Sequence, residues 1–108
     1  MIQFYIAGNY TAATEQANLL NVRRAMLAAV RVVEARGWFP IVPHCSMNHE
    51  TPWPEAMRRL KNVLRGLDPK RSYLILLPGW ETSTGAVEEW ELALELGITV
   101  LTLEEALR

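Results

Sequence analysis

The sequence predicts an α/β domain on three observations. Four short apolar runs alternate with four stretches of helical periodicity, the first three runs stop at Gly or Pro, and the third run is apolar throughout. Strand–helix alternation of this kind argues for a parallel sheet with helices on both faces. Right-handed crossovers then leave few topologies, and the strand order 2-1-3-4 is expected. The result is a three-layer arrangement, Rossmann-like or flavodoxin-like, whose switch point lies between the first and third strands. Ligands of such sheets bind at the carboxyl ends of the strands there.

Each element has its own justification. Ile2 to Ala7 is a strand-like run closed by Gly8, and Gly8-Asn9-Tyr10-Thr11 reads as a loop. From about Thr14 to Arg36, Val22, Met26, Ala29, Val30 and Val33 recur at helical spacing and predict the buried face, with Gly37 as the stop. Trp38 to Val42 is the second strand, closed by Pro43. Pro54 suits a first helical turn, and Met57, Leu60, Val63, Leu64 and Leu67 carry that helix to the Asp68-Pro69 break. Tyr73 to Leu77 reads as a strand buried on both faces and ends at Pro78-Gly79. Thr84 to Leu96 is the third helix, stopped by Gly97. Ile98 to Leu101 is the fourth strand, and Thr102 with Glu105 forms a capping box for a last short helix.

Composition narrows the function. A chain of 108 residues fits one domain, 1–108. A net charge of -1 argues against a broad nucleic-acid-binding surface. One cysteine leaves no disulfide framework and suits a reducing cytoplasm. No apolar run reaches the roughly 20 residues of a membrane span, and no secretory signal is visible. His44, Cys45 and His49 offer three donors without a second pair at ligand spacing, so no metal is expected. No P-loop and no GxGxxG fingerprint occur, and no cofactor is expected.

The loop after the third run, Pro78-Gly79-Trp80-Glu81-Thr82-Ser83-Thr84-Gly85-Ala86, feeds a helix. Free N–H groups at a helix start suit an anion, and Gly85 admits close approach to the backbone. Ser83 reads equally as a plain N-cap. Glu89 shares a helix face with the small residues Ala86 and Ala93, which pack near a sheet, and a buried carboxylate there needs a reason. Tyr5 reads either as core packing or as a phenol with a partner at the strand end. Trp80 reads either as a stacking platform or as a packing plug.

Taken together, the segments Tyr5-Ile6-Ala7-Gly8 with Tyr10-Thr11, Gly37 to Pro43-His44, Leu77-Pro78-Gly79-Trp80, and Ser83-x-Gly85-Ala86-x-x-Glu89-x-x-x-Ala93-x-x-x-Gly97 resemble the nucleoside 2-deoxyribosyltransferase-like superfamily. The resemblance is to its small bacterial and phage members, and it extends to the 2′-deoxynucleoside 5′-monophosphate N-hydrolases. It implies cleavage or transfer at an N-glycosidic bond of a nucleoside or nucleoside 5′-monophosphate. Glu89 would be the nucleophile and Tyr5 its orienting partner, with Gly8, Asn9, Tyr10, His44, Gly79, Trp80, Ser83 and Gly85 around the substrate. It also implies a homodimer or higher homo-oligomer.

Two aspartates that the resemblance leads one to expect are absent. Arg65 stands at the place of the acid/base aspartate, Ser72 stands at the strand opening, and Asp68 aligns only with a shift. Glu50, Glu55 and His44 are the substitutes within the sequence. The asparagine that transferases lend to a neighbouring subunit has no match, which favours hydrolysis over transfer. The alternative reading is a non-catalytic module that binds a nucleotide or nucleotide-sugar.

Overall fold

The structure, a computed structural model, describes residues 1–10, 14–46 and 50–108. Four parallel strands, β1 (Gln3–Ala7), β2 (Phe39–Ile41), β3 (Ser72–Leu76) and β4 (Thr99–Thr102), form one sheet in the order 2-1-3-4. The helices are α1 (Glu15–Arg36), α2 (Trp53–Arg65), α3 (Thr84–Leu96) and the single turn α4 (Leu103–Ala106). The expected α/β class and strand order therefore both hold. Short 3₁₀ turns at Pro43–Ser46, Pro69–Arg71 and Trp80–Thr82 occupy stretches that periodicity reads only as loop.

Strands β1 and β3 lie at the centre, in a register that pairs Tyr5 with Leu74 and Ala7 with Leu76. Their side chains alternate between two cores, as the two-residue period of a strand demands. Phe4, Ile6 and Ile75 face α1 and α4. Tyr5, Ala7, Leu74 and Leu76 face the other layer, with Leu64 of α2 and Ala86, Leu92 and Ala93 of α3. This alternation puts Tyr5 and α3 on the same side of the sheet.

The helix ends follow the sequence signals. Thr14 caps α1 by accepting from the Ala17 N–H at 3.1 Å, and Gly37 closes it with a φ of 68°. The capping box of α4 is complete, with Thr102 N–H donating to Glu105 Oε1 at 2.9 Å and Glu105 N–H to Thr102 Oγ1 at 3.1 Å.

The expected inner face of α1 needs correcting. The helix turns Asn18, Ala25, Ala28, Ala29 and Val32 inward, while Met26 and Val30 stay about half exposed. Ala29 is buried and Val33 partly buried as expected, and Ala25, Ala28 and Val32 complete the face that packs on Phe4, Ile6 and Ile75. In α2, Met57, Leu60 and Leu64 are buried as expected, Ala56 joins them, and Val63 points outward. Among the described residues, no helix is long and apolar enough to cross a membrane.

Candidate functional site

Strand β1 runs directly into Gly8, Asn9 and Tyr10 at the carboxyl edge of the sheet. Gly8 must be small: a Cβ there would lie 2.8 Å from Leu77 Cδ1. Its carbonyl oxygen also accepts from Ser83 Oγ at 3.4 Å, tying the first loop to the start of α3. Ser83 caps α3, accepting from the Ala86 N–H at 3.2 Å.

Three turns of chemistry follow from that junction. Glu89, in the second turn of α3, is fully buried. Its Oε2 accepts a hydrogen bond from the Tyr5 hydroxyl across the interlayer space. Its Oε1 is buried with no partner. Tyr10 is also buried, donates its hydroxyl to the Ile6 carbonyl at 3.2 Å, and lies beside the same carboxyl group. His44 stacks on Tyr10 with ring centroids 4.3 Å apart and planes tilted by 31°. It is buried, and both ring nitrogens lack hydrogen-bond partners.

Burial governs the electrostatics. It pushes the Glu89 carboxyl up to about 8, with the Tyr10 and Tyr5 hydroxyls pulling the other way. It raises both phenols well above their ordinary range, and the adjacent carboxylate adds to the rise. It lowers His44 to about 4, opposed by the Asn9 main chain. At neutral pH the cluster is therefore mostly uncharged, with Glu89 chiefly protonated and His44 neutral.

A polar crevice of about 330 Å³ opens beside this cluster, lined by Asn9, Tyr10, Trp53, Thr82, Ser83, Thr84 and Gly85. Tyr10 touches both spaces: its side chain lines the crevice and its phenol lies against Glu89. Trp53, the first residue of α2, forms the far wall and is a site residue that sequence reasoning missed. Its packing dictates Gly85, where a Cβ would sit 2.6 Å from Trp53 Cη2 and 3.2 Å from Met57 Sδ.

The structure brings together Tyr5, Gly8, Asn9, Tyr10, His44, Ser83, Gly85 and Glu89. It does not bring in Trp80, whose ring packs on Trp90 with centroids 5.3 Å apart and joins the apolar core beside α3. Gly79 adopts a φ of 85° in the exposed turn before it and does not line the crevice. Thr11 and His49 lie outside the described residues. Among the described residues, no group of three potential ligands stands ready for a metal ion.

The candidates for proton transfer also sort themselves. Asp68 caps the turn before β3 by accepting from the Lys70 N–H at 3.0 Å. Arg65 donates to Asn62 Oδ1 at 3.2 Å on the outside of α2. Glu55 pairs with Arg59 at 2.7 Å, and Glu50 is exposed. Ser72 is buried at the opening of β3, its hydroxyl without a partner. Only His44 lies against the Tyr5–Glu89–Tyr10 cluster.

The chain belongs to the family described as "Domain of unknown function (DUF4406)", whose model matches residues 2–102. Comparison with curated proteins finds no match. Comparison with solved structures finds none either.

Proposed function

We propose that this protein cleaves or transfers at the N-glycosidic bond of a nucleoside or nucleoside 5′-monophosphate, with Glu89 as the nucleophile. The observation that carries this reading is the Glu89 carboxyl itself. It is buried at the switch point of the sheet, oriented through one oxygen by Tyr5 and bare at the other. A fixed carboxylate with one free oxygen suits attack on an anomeric carbon through an oxocarbenium-like transition state.

In the first step Glu89 gives up its proton by way of His44, Oε1 bonds to the anomeric carbon, and the carbon–nitrogen bond breaks. The base departs with the electron pair and takes up that proton. In the second step water, or a second base, attacks the same carbon and releases Glu89. The Tyr5 hydroxyl holds the carboxylate in place and supports its charge. His44 is the group placed to exchange a proton with the base or the water. Ser83 and the start of α3 face the crevice where a phosphate would bind. Access to Glu89 requires the Tyr10 ring to turn aside.

A second reading, a non-catalytic nucleotide-binding module, is favoured by one feature. No carboxylate lines the crevice, and the six residues outside the described set contain none.

We also propose a homodimer through the outer face of α1, where Leu19, Leu20, Met26, Leu27 and Val30 are all about half exposed. A monomer by light scattering across micromolar concentrations would count against it. The catalytic reading is tested by base release from a panel of deoxynucleosides and their 5′-monophosphates. Wild type should release base and Glu89→Gln should not. Ligand binding by calorimetry without turnover would establish the second reading instead.

A further inference from the structure

A second cleft, about 360 Å³, lies beyond Asn9 on the α1 side of the sheet. Its walls are Asn9, Asn21, Arg24, Ala28, Leu77, Pro78 and Leu103. It sits at the carboxyl ends of β1 and β3, at the same switch point as the Glu89 crevice but in the opposite layer. Among the described residues, Asn9 alone lines both.

The chemistry of the lining is uneven. Ala28, Leu77, Pro78 and Leu103 make an apolar bed. Arg24, Asn21 and Asn9 supply polar groups above it, and among the described residues Arg24 carries the only charge in the lining. Among the described residues, the side chains of Arg59, Arg108 and Arg36 find acceptors on Glu55, Glu104 and the Ala106 carbonyl, whereas that of Arg24, like those of Arg23, Arg31, Arg58 and Arg71, does not. Arg24 has no ion-pair or hydrogen-bond partner among the described residues. Its helical neighbours at three and four residues are Leu20, Asn21, Leu27 and Ala28, none of them acidic. The side chains of Asn21 and Asn9 likewise have no hydrogen-bond partner among the described residues.

We infer that this cleft is a second ligand site, for a small molecule with an anionic oxygen group, phosphate or carboxylate, on a flat apolar or ring body. The planar guanidinium of Arg24 takes two anion oxygens side by side, a geometry to which arginine is suited. The Asn21 and Asn9 amides supply further donors. The ring body rests on Leu77, Pro78 and Ala28. The volume is that of a typical small-molecule site, in which apolar walls carry a few placed polar groups.

The site is independent of catalysis at Glu89, so its test does not depend on turnover. Adenosine 5′-monophosphate, adenosine, benzoate and inorganic phosphate are titrated by calorimetry into wild type, Arg24→Ala, Asn21→Ala, Ser83→Ala and Glu89→Gln. Arg24 is exposed, so Arg24→Ala should keep the wild-type circular dichroism and Tm. Binding of the monophosphate or of benzoate should weaken by about tenfold or more in Arg24→Ala, the loss of a charge-assisted hydrogen bond. Arg24→Lys should restore part of it. Because the monophosphate also enters the Glu89 crevice on the proposed reading, Ser83→Ala and Glu89→Gln should keep the part of the binding that Arg24→Ala removes. Preference for the monophosphate assigns phosphate, and preference for benzoate assigns carboxylate. Unchanged affinity in Arg24→Ala, loss in Ser83→Ala alone, or no binding of any of the four probes overturns the inference.

Discussion

The Tyr5 hydroxyl and the Glu89 carboxyl, 84 residues apart in the chain, meet in a hydrogen bond between the centre of the sheet and α3. The contact leaves one carboxyl oxygen oriented and the other bare. In Tyr5→Phe the ring still fills its space, but the Tyr5 share of the pull that lowers the Glu89 carboxyl is lost while the Tyr10 hydroxyl keeps its own. Base release should fall by about 10- to 100-fold, within the range for a lost polar catalytic contact. The rise of kcat/KM with pH should move to higher pH. A change in rate with an unmoved pH profile would show that Tyr5 does not tune Glu89.

Stability should depend on pH with a sign set by burial. Glu89 holds its proton up to about 8 in the folded protein, against an ordinary value of 4.5. Between those values the native state binds a proton that the unfolded chain has released. Stability therefore falls as pH rises through that window, by a few kcal/mol (roughly). His44, lowered from 6.5 to about 4, works in the opposite direction, and its contribution is lost as pH drops from 6.5 toward 4. From pH 6.5 to 8 the Glu89 effect operates without that of His44. Urea unfolding of Glu89→Gln should show no decline there, while wild type should decline.

Gly85→Ala should destabilise, although alanine is ordinarily the better helix residue. The added methyl meets the Trp53 ring, at 2.6 Å before any adjustment. A cost of about 1–3 kcal/mol is expected for such overpacking. Combining it with Trp53→Leu should recover part of that loss. Thermal unfolding of the two single variants and the double variant measures the coupling.

His44→Phe separates packing from chemistry. The ring is buried against Tyr10, so phenylalanine, somewhat larger than imidazole, should cost no more than about 1–3 kcal/mol. Base release should nevertheless fall about 10²- to 10⁴-fold, as for a lost acid/base group. Equal activity in the two proteins would make His44 a packing residue only.

The order of elements was legible because apolar periodicity and Gly/Pro stops report backbone geometry directly. Thr84 to Leu96 matches α3 residue for residue, and the expected sheet order, one of the few that right-handed crossovers leave, is the one observed. The inner face of α1 was legible only in part: Ala29 and Val33 pack on the core, but hydrophobicity ranks Met26 and Val30 above Ala25 and Ala28, which are the buried ones. Within the site, Glu89 could be suspected from its neighbours Ala86 and Ala93, and Tyr5 from its place beside the switch point. Trp53 could not. It lies 32 residues before Gly85, and only the fold brings them together. Trp80 and Gly79 illustrate the reverse. They sit in the right loop, but Trp90 offers the indole ring an apolar partner away from the crevice.

The resting position of Tyr10, between the crevice and Glu89, imposes a sequence of events on any reaction here. On the proposed reaction the acid is stored protonated and buried until a ligand arrives. Ligand entry would come first, then rotation of the Tyr10 ring, then release of the proton. Such a protein would be chemically quiet until occupied, its pace set as much by side-chain traffic as by the breaking of a bond.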